Sequence, residues 1–118
     1  MAEFSRLRLR LHFGNGLMFG PGKADLLAGI DERGSISAAG RAMGMSYKRA
    51  WSLVEEMNAA FSEPLVASVR GGASGGGAHL TEAGRAVLAD YRRLIDRLAR
   101  DGAAEIEAIR SRLRDISG

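Results

Sequence analysis

Residues 34–58 read GSISAAGRAMGMSYKRAWSLVEEMN, a short helix, a tight turn and a longer helix. Two helices that cross closely need small residues at the crossing, a turn residue that tolerates left-handed backbone, and apolar positions that fix the angle of the second helix. Gly40 supplies the crossing, Gly44 the turn, Met43 and Met45 flank it as apolar plugs, and Ala50 and Leu53 are the inward positions of the second helix. Glycine inside a helix costs about 0.5–1 kcal/mol relative to alanine, so Gly40 marks a close contact. The pattern predicts a helix-turn-helix over about residues 35–61.

On a helical wheel of 100° per residue, Ala50, Leu53, Val54, Met57 and Phe61 share one face. The opposite face near the N-terminus is centred on Lys48 and Ser52, with Arg49 and Trp51 on its shoulders and Tyr47 nearer the core edge. Lysine, arginine and serine are side chains that reach phosphates and base edges, and a recognition helix reads the major groove mainly with its first turns. Charge agrees with this reading. Residues 33–54 hold Arg33, Arg41, Lys48 and Arg49 and no acid, a local +4 against +3 for the whole chain of 17 Lys+Arg and 14 Asp+Glu. Tyr47 and Trp51 are read either as packing or as contact residues, and Arg33 as a charge at the end of the preceding helix.

The flanking sequence completes a small domain. Residues 7–13, LRLRLHF, alternate with period 2 and predict a half-buried strand. Pro21 suits the first position of a helix over about residues 21–33 that buries Leu26, Leu27 and Ile30 and stops at Gly34. Residues 65–69 and 78–81 predict two strands around a glycine-rich tip, the composition of a hairpin wing over about residues 65–81. Thr81 then caps a long helix over about residues 82–116 with Glu82 in its first turn. Gly84, Val87, Tyr91, Leu94 and Leu98 are spaced 3, 4, 3, 4, and Ile106, Ile109, Leu113 and Ile116 resume the rhythm after Gly102.

Several function classes are excluded or disfavoured. There is no cysteine, which excludes disulfides and thiolate metal sites, and His12 and His79 are too few for a histidine-built zinc centre. No metal and no cofactor are expected. Around Gly22-Lys23 the first glycine of a phosphate-binding P-loop would fall at Leu17, and Ala24 stands where a hydroxyl is needed. No catalytic triad or carboxylate pair stands out, so no catalytic residue is assigned and the chain is not read as an enzyme. The uncharged stretches are too short to span a membrane, and the N-terminus lacks a secretion signal. A cytoplasmic protein without membrane contact is expected.

Residues 34–58 closely resemble the N-terminal DNA-binding domain of the ModE family of molybdate-responsive regulators, related to the LysR-type winged helices. The resemblance continues through Leu65-Val66 and residues 70–84, RGGASGGGAHLTEAG, and covers roughly residues 7–100. The pair S-Y-K-x-A-W and G-G-G-A-x-L-T is far more specific than a generic helix-turn-helix pattern. It implies a homodimeric transcription factor whose third helix enters the major groove, whose wing tip touches DNA, and whose first and last helices help form the dimer. Carried onto this chain, the implied DNA contacts are Ser46, Tyr47, Lys48, Arg49 and Ser52, with Arg70, Gly72 and Gly75 in the wing; Arg41 adds to the basic surface. Family members bind molybdate in C-terminal domains, and the chain ends at Gly118 without them, so molybdate binding by this polypeptide is not expected.

The reading is therefore a mostly α chain with a small β component, a single winged helix-turn-helix of order β-α-α-α-β-β-α over residues 1–118. Double-stranded DNA is the expected partner. A homodimer through the C-terminal helix, by way of Val87, Tyr91, Leu94, Leu98, Ile106 and Ile109, would set two recognition helices about 34–36 Å apart on an inverted repeat. A protein-interaction adaptor on the same fold and an oxyanion site in the glycine-rich tip are the alternatives left open by the residues.

Overall fold

A computed structural model describes residues 7–69 and 77–114. Among these residues the chain runs β1 (Leu11–His12), β2 (Met18–Phe19), α1 (Pro21–Arg33), α2 (Ile36–Ala42), α3 (Tyr47–Ala60), β3 (Val66–Val69), β4 (Gly77–Leu80), α4 (Glu82–Asp101) and α5 (Ala103–Arg110). The helices and the β3–β4 wing follow the expected winged helix-turn-helix order. The N-terminal strand differs from expectation. Its alternation survives from Leu7 to His12, with the leucines half-buried and the charged or polar residues exposed. Phe13, however, is exposed because the chain turns back there. The Phe13 N–H donates to the Leu17 carbonyl at 2.9 Å, and Gly16, at φ +94°, closes the turn. The returning residues form β2, antiparallel to β1 with Leu11 opposite Phe19.

Each helix boundary has a local cause. Gly20 and Pro21 open α1, and Gly34, at φ +71°, ends it with its N–H bonded to the Ile30 carbonyl. That left-handed backbone conformation is readily adopted by glycine. Thr81 caps α4 by accepting from the Gly84 N–H at 3.0 Å, while its hydroxyl donates to the Pro64 carbonyl at 2.6 Å. A side chain at Gly84 would overlap the Leu65 carbonyl, so the start of α4 lies directly on the backbone entering β3.

The core is built from Leu26, Leu27 and Ile30 of α1, Ala50, Val54 and Met57 of α3, and Leu65, Val66 and Leu80 beside the wing. Fully burying aliphatic side chains of this size contributes about 1.5–3 kcal/mol each. The inward face of α3 is thus what fixes its outward face. Phe19 and Tyr91 meet edge to face with ring centroids 5.1 Å apart, and the Tyr91 hydroxyl donates to the Leu9 carbonyl at 2.6 Å.

The long C-terminal helix is not one uniform rod. Gly102, at φ −96° and ψ 9°, separates α4 from α5, although its N–H still bonds to the Leu98 carbonyl and its carbonyl accepts from Ile106. The 3–4 stripe also divides by environment. Gly84 and Tyr91 are buried in the chain's own core, Leu88 joins them, and beyond Ile95 the described helix buries no residue. Tyr91, expected in a dimer seam, therefore serves the intramolecular core. Ile116 lies outside the described residues.

Candidate nucleic-acid interface

The recognition unit is assembled by short-range chemistry. Ser35 caps α2 by accepting from the Ala38 N–H at 3.0 Å, and Ser46 caps α3 by accepting from Arg49 at 3.1 Å. Between the two helices Gly44 adopts φ +75°, and the Met45 N–H returns to the Gly40 carbonyl at 3.0 Å. A β-carbon on Gly40 would crowd Ala50, so the two helices touch backbone to side chain at that point. Met45 packs against the core, but Met43 is exposed and plugs nothing: as the C-cap of α2 it lies outside the crossing.

With Ala50, Leu53, Val54 and Met57 turned inward, the first half of α3 presents Tyr47, Lys48, Arg49 and Ser52 to solvent. Ser46 and Arg41 are exposed as well. The Ser46 hydroxyl has a structural duty as the helix cap that the sequence reading did not assign. Tyr47, placed near the core edge by the wheel, is 57% exposed. It stacks on Trp51 one turn later, the rings 17° from parallel with centroids 6.4 Å apart. Aromatic stacking of this kind turns two side chains into one flat surface.

Electrostatics favour an anion on this face. Among the described residues the ion pairs are Lys23–Glu56, Arg93–Asp90 and Arg110–Glu107, none of which engages Arg41, Lys48 or Arg49. Lys23 is buried in α1, and its ammonium lies 3.6 Å from the half-exposed Glu56 carboxylate. That pair joins α1 to the far half of α3 and engages one of the two acids that follow the basic segment. Only the proximity of the two helices reveals it, since 33 positions separate the partners.

A second unanticipated residue is Asn58. Its side-chain oxygen accepts from the Leu65 and Val66 N–H groups at 2.8 and 3.1 Å, and its amide donates to the Val66 carbonyl at 3.1 Å. The end of α3 is thereby clasped to the start of β3. β3 and β4 pair antiparallel from Val66 opposite Leu80 to Val69 opposite Gly77. Arg70, Gly72 and Gly75 of the wing tip lie outside the described residues.

Of the remaining residues assigned to a dimer seam, Val87 and Leu94 are half-buried and line an apolar hollow of about 220 Å³ together with Phe13, Phe61 and Tyr91. Ile106 is half-buried, while Leu98 and Ile109 are 38% and 67% exposed. Among the described residues no helix is long and apolar enough to cross a membrane.

Comparison with known proteins agrees with this geometry. Residues 24–85 match the family described as bacterial regulatory helix-turn-helix protein, lysR family. The chain is 47% identical over 76 residues to the molybdenum-pterin-binding protein MopB of Rhodobacter capsulatus, covering 64% of this chain and 28% of that protein. It is 38% identical over 93 residues to the molybdenum transport protein ModE of Azotobacter vinelandii, covering 79% and 33%. With the DNA-binding transcriptional dual regulator ModE of Escherichia coli K12 it shares 37% over 87 residues, covering 74% and 33%. The chain thus spans about a third of the length of these relatives. Among solved structures, a chain of the CbnR_DBD–DNA complex superimposes with a TM-score of 0.57 at 23% identity, over 75% of this chain and 95% of that one. That likeness is one of fold.

Proposed function

The chain belongs to the lysR family of bacterial regulatory helix-turn-helix proteins, and from that premise we propose that it is a transcriptional regulator that binds double-stranded DNA with α3 in the major groove. The observation that carries this reading is the first half of α3, where Lys48 and Arg49 stand exposed and outside the ion pairs, in a segment of 22 residues without a carboxylate. Ser46, Tyr47, Ser52 and Arg41 border them and complete the contact surface. Arg70, Gly72 and Gly75 extend it to the backbone or minor groove as the wing tip.

The regulator acts as a two-fold dimer through α4 and α5, which sets two copies of α3 on successive major grooves of an inverted repeat. Support comes from the exposed apolar side chains of Leu98 in α4, Ile109 in α5 and Leu113 just past its end, where no described residue beyond Ile95 is buried. The relatives named for molybdenum support a role in the control of molybdenum handling.

Selection of bound sequences from random DNA supplies the operator for a direct test. Replacing Lys48 and Arg49 together by alanine is expected to weaken operator binding and to lower the salt slope of log K by about 2, as expected for loss of two phosphate-directed charges. Circular dichroism should remain native because both side chains are exposed. Unchanged affinity and slope in a native-like variant would remove α3 from the interface.

A further inference from the structure

The chain carries 15 arginines and two lysines, Lys23 and Lys48. Lys23 is 7% exposed, and its ammonium lies 3.6 Å from the Glu56 carboxylate. Lys48 is exposed and stands outside the ion pairs of the described residues. Resting on the DNA-binding reading above, we propose that Lys48 is an acylation site, modified by an anionic activated-acyl donor, an acyl phosphate or an acyl thioester of coenzyme A, and that this modification releases the regulator from DNA.

The two kinds of base differ in chemistry. A guanidinium keeps its charge, whereas a lysine amine in its neutral form attacks carbonyl carbon. In the step proposed, the Lys48 Nζ lone pair forms an amide bond to the acyl carbon. The bond from that carbon to phosphate oxygen or to sulfur breaks, the leaving group departs with the electron pair, and the nitrogen sheds a proton to water. No oxidant or reductant takes part, and the positive charge of the side chain is lost. Of Arg41, Lys48 and Arg49, the bases of the contact surface, Lys48 alone can be switched in this way.

Position favours the reaction. Both classes of donor are anions, and residues 33–54 hold Arg33, Arg41, Lys48 and Arg49 with no carboxylate, so the field that suits DNA also draws the donor. Lys23, in contrast, has a carboxylate beside it and little room for an acyl carrier.

The fold does not need the charge. Ser46 is the N-cap of α3, which puts Lys48 and Arg49 in the first turn, and that turn holds no acid. Cations there oppose the helix dipole. Neutralising Lys48 should therefore leave Tm unchanged or slightly higher while it weakens DNA binding, which separates a switch from damage.

The purified chain would be incubated with acetyl phosphate in one arm and acetyl-CoA in another, and its acetyl groups mapped over time by peptide mass spectrometry. Lys48 should be acetylated well ahead of Lys23 in at least one arm, and saturating operator duplex should protect it. Acetyl-lysine installed at position 48 alone, by an expanded genetic code, should bind the selected operator about tenfold or more weakly in fluorescence anisotropy, as for loss of a hydrogen bond to a charged group. The salt slope of log K should fall by about 1. Whatever affinity Lys48→Arg has, treatment with either donor should leave it unaltered. Acetylation of Lys23 as fast as that of Lys48 overturns the proposal, and so does an operator affinity that acetylation at position 48 leaves unchanged. A lowered Tm in the site-specifically acetylated chain overturns it too, by making the loss of binding one of folding. If the untreated chain binds no duplex, the DNA-binding reading itself falls, and the switch falls with it.

Discussion

A β-carbon built on Gly40 would stand 2.7 Å from the β-carbon of Ala50, closer than two methyl groups can approach. Gly40→Ala therefore forces α2 and α3 apart at the crossing. Overpacking of this kind costs about 1–3 kcal/mol, against a helix-propensity gain of about 0.5–1 kcal/mol. The net loss, read by urea or thermal unfolding, should lower Tm by several degrees. Adding Ala50→Gly removes the opposing methyl group and should recover part of the loss.

Gly44 and Gly22 form a matched pair with opposite signs. Neither has an atom within 4 Å of an added β-carbon, but Gly44 holds φ +75° and Gly22 lies in the first turn of α1 without a positive φ. Gly44→Ala is expected to destabilise by about 1 kcal/mol through backbone strain. Gly22→Ala should stabilise by about 0.4–1 kcal/mol because the unfolded chain loses freedom. Chemical denaturation of the two variants side by side checks both signs.

The dimer proposal rests on exposed residues, which makes it open to charge insertion. Leu98→Asp and Ile109→Asp alter side chains that are 38% and 67% exposed in the single chain, so each should change its stability by no more than about 0.5 kcal/mol. Sedimentation velocity at micromolar concentration should show a dimer for the wild type and a monomer for the double variant. A wild-type monomer would overturn the dimer, and a variant that remains dimeric would move the interface elsewhere.

Tyr91 predicts an alkaline limit. Burial raises its phenol above the ordinary value, the Asp25 carboxylate adds to the rise, and Arg8 opposes it. The unfolded chain therefore releases this proton first. The contribution of the neutral phenol is fully present below about pH 10, the ordinary tyrosine value, and is lost as pH climbs through the raised one. Denaturation curves should show the wild type losing stability above pH 10 more steeply than Tyr91→Phe. At neutral pH the same variant should be weaker by about 0.5–1.5 kcal/mol for the lost hydrogen bond to Leu9.

Much of this fold is legible because its punctuation is local. Gly34, Gly44, Pro21 and Thr81 act within a few residues of themselves, and the sequence pattern places each one where the structure has it. The inward face of α3 is legible for the same reason, since helical period alone assigns Ala50, Leu53, Val54 and Met57. What the pattern lacks is the identity of the neighbour. The stripe from Gly84 to Leu98 shows which residues share a face, but only packing reveals that Gly84 and Tyr91 are covered by the same chain while Leu98 is left bare. A wheel likewise gives Tyr47 an angle and not its stacking partner. β2 escaped because its two residues form a strand only by returning along β1. The candidate site divides in the same way: the exposed bases and hydroxyls of α3 are readable, whereas the Lys23–Glu56 pair and the clasp of Asn58 onto Leu65 and Val66 need partners from other elements.

Because the Asn58 amide closes three hydrogen bonds onto Leu65 and Val66, α3 and the base of the wing have little freedom to reorient independently. The entropy of setting them at a common spacing is surrendered on folding, and association with a ligand is spared that term. Binding across both elements should then show a heat-capacity change that follows the apolar surface covered, without the larger signature of a segment that folds on its target.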